Sequence, residues 1–297
     1  PRVVIFCKVR IADFCKNLVN YSKKQELAMK KKKPIWLILF VLFLLLLICG
    51  AVVLVIQKND KKTANDAYEQ MQEAVNDIPD KEDITISTET ETEEDALAGI
   101  EIPEKNLDWD ALHEENQDIY AWIYVPNTTV DYPVLQHPTD NSYYLNHNID
   151  GTSGYPGCIY TEDYNSKDFT DTNTVLYGHN LKDKTMFSSL HNFEDEDVFN
   201  QDNYIFVYTE DYVYVYQIFA AYEYDSLHLL ANFDYSNEYV YQDYLDSIFE
   251  GTGRESNVKT DVEVTTGDKI ITLSTCTSDH NSNYRYLVAG KLLNPKK

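Results

Sequence analysis

The run Lys269-Ile270-Ile271-Thr272-Leu273-Ser274-Thr275 has the apolar character of a buried strand and hands over directly to Cys276. A polar loop, Thr277 to Asn283, follows, and Arg285 opens the next apolar run. A hairpin of this kind sets a thiol and a guanidinium alongside each other at one end of a sheet. A neighbouring cation favours thiolate over thiol, and it can stabilise the oxyanion that forms when a thiolate attacks a carbonyl. The pair therefore suits acyl transfer through a cysteine, a reaction that also needs an acid/base partner.

Seven histidines are available: His113, His137, His147, His179, His191, His228 and His280. His179 stands out because it follows the strand-like run Thr174-Val175-Leu176-Tyr177, with Gly178 between them permitting close backbone approach. His280, four residues past the cysteine, is its rival, but its loop is polar. The bland reading of Cys276 is a small buried hydrophobe, or half of a disulfide with Cys158. Cys158 is expected to be buried and inert instead, and Asp279 to be an exposed loop acid. No grouping of His, Cys and carboxylates has metal-ligand spacing, so no metal and no other cofactor is expected.

The elements that must hold these residues are short. Alternating runs between turn signals cover Ile119–Val125, Val130–Leu135, Gly157–Thr161, Thr174–Gly178, Tyr204–Tyr208, Tyr212–Ala221, Val258–Val264, Lys269–Thr275 and Tyr284–Leu293. Eight or nine strands spaced this way predict a mainly β domain, a sandwich or a closed barrel. One helix is predicted over Leu107–Gln117. A second begins after Ser236, sets Tyr241, Tyr244, Leu245 and Ile248 on one face, and stops at Gly251. Most of the 24 tyrosines read as strand residues with apolar bodies and wet tips.

The remainder of the chain is segregated by charge. The formal net charge is −24, which opposes nucleic-acid wrapping. Residues 1–33 nevertheless carry ten Lys/Arg against two Asp/Glu, residues 34–56 carry no charge, and residues 57–297 carry 15 basic against 47 acidic side chains. The uncharged stretch spans roughly 33 Å as a helix, enough for a hydrocarbon core of about 30 Å. With Lys30 to Lys33 directly before it, the positive-inside rule puts the N-terminus in the cytoplasm and residues after 57 outside. A cleaved signal peptide is the rival, opposed by the length of the apolar stretch and the lack of an A-x-A-like site. Met29 precedes the lysines, and the expectation is that residues 1–28 are translated from upstream and absent from the natural protein. Residues 57–103, with the Thr/Glu/Asp run Asp80–Glu94, read as an acidic stalk. A domain over 104–297 is long enough to bury a core without disulfides.

At the chemistry-bearing residues the sequence resembles the sortases, membrane-anchored cysteine transpeptidases of Gram-positive bacteria. Thr272-Leu273-Ser274-Thr275-Cys276 matches the family's TLxTC signature, and Arg285 and His179 fall where its arginine and histidine are expected. Class B is the subclass indicated. Asn173 to Asn180, Met186-Phe187 and Leu190 resemble that class, as do Trp122-Ile123, Asp131-Tyr132-Pro133-Val134, Asp140-Asn141 and Tyr144-Leu145. The resemblance implies a closed eight-stranded sortase-type β-barrel with N-terminal helices and one helix in the connection before the cysteine strand, preceded by one transmembrane helix. It also implies catalysis by Cys276, His179 and Arg285 on a C-terminal LPxTG- or NPxTN-like sorting signal of a secreted protein. Asn141, Leu145 and Ser274 would contact the signal, and an amine of peptidoglycan or its lipid-linked precursor would accept the acyl group.

Three other readings compete. An L,D-transpeptidase that cross-links peptidoglycan would carry its cysteine in an S-x-G-C-x-R-like segment, whereas Ser274-Thr275-Cys276 lacks the glycine and Arg285 lies nine residues on. A papain-like protease would place cysteine before histidine. A non-enzymatic tethered adhesin or scaffold is supported only by the anchor, the stalk and the Tyr-rich sheet.

Overall fold

The computed structural model describes residues 2–77, 97–251 and 254–294, so the Asp80–Glu94 run lies outside the described residues. The chain divides into two compact units, residues 1–59 and 60–297. Helix α1, Arg2–Asn76, makes up the described part of the first unit and contributes its last turns to the second. From Ile35 to Ile56 every residue of α1 is exposed. Among the described residues one helix, Ile35–Asn76, is long and apolar enough to cross a membrane, and it lies near the N-terminus. An uncovered apolar surface of this extent is stable in hydrocarbon and not in water.

The second unit is built on strands β1 (Ile119–Val125), β2 (Val130–Leu135), β3 (Ile159–Tyr160), β4 (Asn173–Tyr177), β5 (Tyr204–Tyr208), β6 (Val213–Asp225), β7 (Ser256–Val258), β8 (Ile270–Cys276) and β9 (Tyr284–Leu292). Their order is β5-β1-β2-β3-β4-β8-β9-β6, and β5 also pairs with β6, which closes an eight-stranded barrel. Closure leaves those strands without a long free edge. The short β7 pairs with Ala220 to Tyr222 on β6, past the stretch that β5 occupies.

Eight of the nine runs expected to be strands contain one, with boundaries shifted by one to four residues in five of them, and the run Val258–Val264 is strand only at Val258. β6 extends to Asp225 because β9 pairs with it that far, Asp225 lying opposite Tyr284. β7 ends at Val258, since its ladder to β6 covers three residues; Val262 and Val264 pack on a core instead. β3 has only two residues.

The helices follow their capping signals. In α2 (Trp109–Glu115) the Asp108 carboxylate accepts from the Ala111 N–H at 3.0 Å. The short helices α3 (Glu196–Phe199) and α4 (Leu229–Asn232) were not evident in the sequence. Helix α5 (Glu238–Glu250) is capped by Asn237, which accepts from Tyr239 N–H at 3.0 Å. It ends at Gly251, whose φ of 75° suits glycine. As the spacing predicted, α5 buries Tyr241, Tyr244, Leu245 and Ile248.

Two apolar cores result. The larger one fills the barrel with Trp122, Leu176, Leu273, Tyr286 and Val288 among others. The second lies on the opposite face of β4, β8 and β9, where Val175, Ile270, Leu287 and Ala289 meet α5. The larger core also takes in Tyr68 and Val75 from the end of α1, inside the stretch read as a stalk. Ala64, Tyr68 and Val75 recur at helical spacing, and all three are buried. The Tyr68 hydroxyl donates to the Gly157 carbonyl at 2.9 Å.

Candidate active site

The three candidate residues lie at the ends of neighbouring strands. β4 runs parallel to β8 with Tyr177 beside Ser274, and the Gly178 N–H donates to the Ser274 carbonyl at 3.1 Å. Two residues further along each chain stand His179 and Cys276. On the other side of β8, the antiparallel ladder to β9 pairs Cys276 with Arg285. The parallel ladder thus delivers the histidine to one flank of the cysteine, and the hairpin delivers the arginine to the other.

Side-chain alternation puts Cys276 and Arg285 on one face, and His179, just past β4, has the matching parity. His179 has the parity of Val175, Cys276 that of Ile270, and Arg285 that of Leu287 and Ala289, which all belong to the second core. The site therefore opens beyond the layer covered by α5, on the outer face of the barrel wall. Cys276 is half-buried and free.

His179 sits against the connection between β2 and β3. Its Nε2 lies 2.7 Å from the Leu145 carbonyl oxygen, and the Tyr155 ring meets the imidazole edge-on at 5.1 Å. Burial lowers the His179 pKa from the ordinary histidine value, and the Leu145 carbonyl acts in the opposite direction. Neutral imidazole is accordingly the prevailing form at pH 7. The glycine before it has no substitute: a Cβ on Gly178 would come within 2.5 Å of Ile159 Cδ1 and 2.7 Å of the Phe187 ring. Arg285 is braced over its own turn, Nη1 donating to the Tyr284 carbonyl at 2.8 Å and the Ser282 carbonyl at 3.3 Å.

Of the residues expected to bind substrate, Ser274 and Leu145 lie at this end of the sheet. Ser274 precedes Cys276 by two on the same face and is buried. Leu145 ends a 3-10 turn, Tyr143–Leu145; the residue is 40% exposed and its carbonyl meets His179. Asn141 is tied to Asp163, donating to its carboxylate at 2.6 Å and accepting from its backbone N–H at 2.9 Å. Asp279 is exposed and organises the loop after the cysteine, accepting from Thr277 Oγ1 at 2.6 Å and from the Asn281 N–H at 2.9 Å. His280 is exposed in the same loop at a φ of 54°.

Cys158 is buried and free. Tyr68 Oη donates to its sulfur at 3.2 Å, and burial pushes the thiol up to about 12. It is an unreactive thiol at neutral pH. Among the described residues no three His, Cys, Asp or Glu side chains converge as metal ligands.

One histidine passed over in the sequence does reach the cysteine. His191, on the 3-10 segment Phe187–Glu194, places Nε2 3.0 Å from the Cys276 carbonyl oxygen and Nδ1 2.6 Å from Glu194 Oε1. The signal available was the His/Glu pair three residues apart on a helical segment, a spacing that brings the two side chains together.

Comparison with known proteins agrees with this architecture. A family model described as a sortase domain matches residues 123–293. Sortase B of Listeria monocytogenes is 35% identical over 184 residues, which are 61% of this chain and 72% of that protein. The X-ray structure of Clostridium perfringens sortase B is similar at a TM-score of 0.55 and 31% identity, covering 62% of this chain and 98% of that one. A Bacillus anthracis sortase B crystal structure reaches a TM-score of 0.61 at 28% identity, covering 80% of this chain and all 100% of its own.

Proposed function

Because the chain belongs to the sortase family, and within it to class B, we propose that it is a membrane-anchored transpeptidase using Cys276, His179 and Arg285. The observation that supports this reading best is the register: Tyr177 beside Ser274, two residues before His179 and Cys276 respectively, and Cys276 opposite Arg285.

In the first half-reaction the Cys276 thiol passes its proton to neutral His179 as its sulfur attacks the threonine carbonyl of a C-terminal LPxTG- or NPxTN-like signal. The Arg285 guanidinium stabilises the tetrahedral oxyanion. The carbonyl C–N bond then breaks, His179 supplies the proton to the departing amine, and a thioester remains on Cys276. In the second half an amine of peptidoglycan or of its lipid-linked precursor attacks the thioester. His179 takes its proton, the new amide forms and the Cys276 thiolate leaves. Ser274, Leu145 and Asn141 border the signal in this reading. In this reading a basic cytoplasmic leader over 1–33 and a membrane anchor over 34–56 precede the extracellular part, in which the end of α1 packs Tyr68 and Val75 into the core of the catalytic domain over 104–297.

The test is to incubate the full chain in detergent with quenched peptides ending in LPxTG-, NPxTN- or SPxTG-like signals, with and without an amine. Cleavage after threonine, with the amine incorporated, is expected. Cys276→Ala should abolish it, and His179→Ala or Arg285→Ala should reduce it by about 10²-fold or more. Full activity in Cys276→Ala would end this reading; cleavage without amine incorporation would reduce the protein to a protease.

A further inference from the structure

On the side of β8 away from the candidate triad, four side chains clasp the peptide that follows the nucleophile. Asn180 Nδ2 donates to the Cys276 carbonyl at 3.1 Å and lies 3.0 Å from His191 Nε2. His191 Nε2 is itself 3.0 Å from that same carbonyl oxygen. On the far edge of the ring, Nδ1 meets Glu194 Oε1 at 2.6 Å. Ser278 Oγ donates to the same Glu194 oxygen at 2.7 Å, which ties in the second residue after the cysteine. The ring is stacked on Tyr286 at 4.5 Å, and Tyr286 belongs to the barrel core. The imidazole is therefore held on one face by Tyr286 and at both nitrogens, with Nε2 at the Cys276 carbonyl and Nδ1 at Glu194 and Ser278 Oγ.

We propose that His191, oriented by Glu194 and working with Asn180, is a positioning residue for the Cys276 nucleophile. The proposal rests on Cys276 being that nucleophile. A carboxylate at 2.6 Å makes Nδ1 the protonated nitrogen. In the neutral ring Nε2 then accepts one Asn180 N–H while the other Asn180 N–H holds the Cys276 carbonyl. In the charged ring Nε2 donates to the carbonyl directly. The carbonyl keeps a donor in both states, and the turn after Cys276 keeps its direction. The need for such a clasp is local. Past Cys276 the hairpin ladder ends and the polar loop 277–283 begins, so strand pairing alone does not hold the thiol in register with His179 and Arg285. A displacement of about 1 Å at a reacting atom costs on the order of 10²-fold in rate.

The experiment compares full-length His191→Ala, His191→Gln and Glu194→Gln with the parent chain in detergent. Three quantities are read: kcat and KM for peptide cleavage, the rate of Cys276 alkylation by iodoacetamide at pH 7 located by peptide mass mapping, and Tm. His191→Ala should lower kcat by about 10²-fold with KM nearly unchanged, and slow Cys276 alkylation by about tenfold. His191→Gln, whose amide can still donate to the Cys276 carbonyl, should restore most of both. Glu194→Gln should fall between them. Unchanged kcat and alkylation in His191→Ala would overturn the proposal, as would a loss that glutamine does not rescue and that follows Tm. Should the parent chain cleave none of the peptides, the transpeptidase reading fails while the alkylation comparison still decides the positioning role.

Discussion

At the scale of single residues, two thiols of the second unit illustrate how environment separates chemistry from packing. Cys158 is enclosed beneath Tyr68 and held protonated, whereas Cys276 is half-buried at the end of β8, opposite Arg285 in the ladder to β9. His179 carries a pH signature of its own. Burial lowers its folded-state pKa, so the unfolded chain binds the proton more readily. Its contribution to stability is complete above the unfolded value of about 6.5 and is lost as pH falls through the lowered folded value. His179→Gln removes that loss. The Tm of the variant relative to the parent should therefore rise as pH is taken from 7.5 to 5, measured by thermal melts at constant ionic strength; a difference that stays flat or reverses would contradict the assignment.

At the scale of elements, the site depends on how β4 leaves the sheet. Gly178 lets the chain pass between Ile159 and Phe187 with its N–H on Ser274, which sets His179 two residues beyond the register pair. Gly178→Ala would drive a methyl group into both neighbours. Overpacking of this kind costs about 1–3 kcal/mol, and the adjacent histidine would shift with the backbone. The expected result is a lower Tm together with a fall in peptide cleavage of about 10²-fold. Calorimetry and steady-state kinetics on the same preparation would check both, and unimpaired cleavage would show that the strand exit has more freedom than the packing indicates.

At the scale of the whole chain, charge and hydropathy set the arrangement. The +8 leader, the uncharged helix and the −32 remainder are the charge pattern on which the proposed single-pass topology, leader in the cytoplasm, rests. Protease added to intact protoplasts should digest the sortase domain and spare the basic leader; the reverse pattern would invert the topology. The second unit does not begin at the barrel's first strand, since the end of α1 buries Tyr68 and Val75 in the larger core. This is the reason for testing activity on the full chain.

Local pattern was enough for much of this. Eight of the short alternating runs announced strands, the i, i+3, i+4, i+7 pattern of Tyr241, Tyr244, Leu245 and Ile248 announced α5, and a nine-residue separation across a hairpin paired Cys276 with Arg285. Each of these is a short-range property, in which the periodicity of apolar residues reports the face an element buries. Periodicity does not report which strand lies alongside. The proposed pairing of His179 with Cys276 rests on parallel pairing between β4 and β8, with Tyr177 beside Ser274, 97 residues on, and the resemblance named the histidine without supplying that register. The same holds for Tyr68 in the barrel core and for His191 on the Cys276 carbonyl. Composition chose the elements, and barrel closure chose their neighbours, because long-range pairing is settled by burying all eight strands together and not by any one of them.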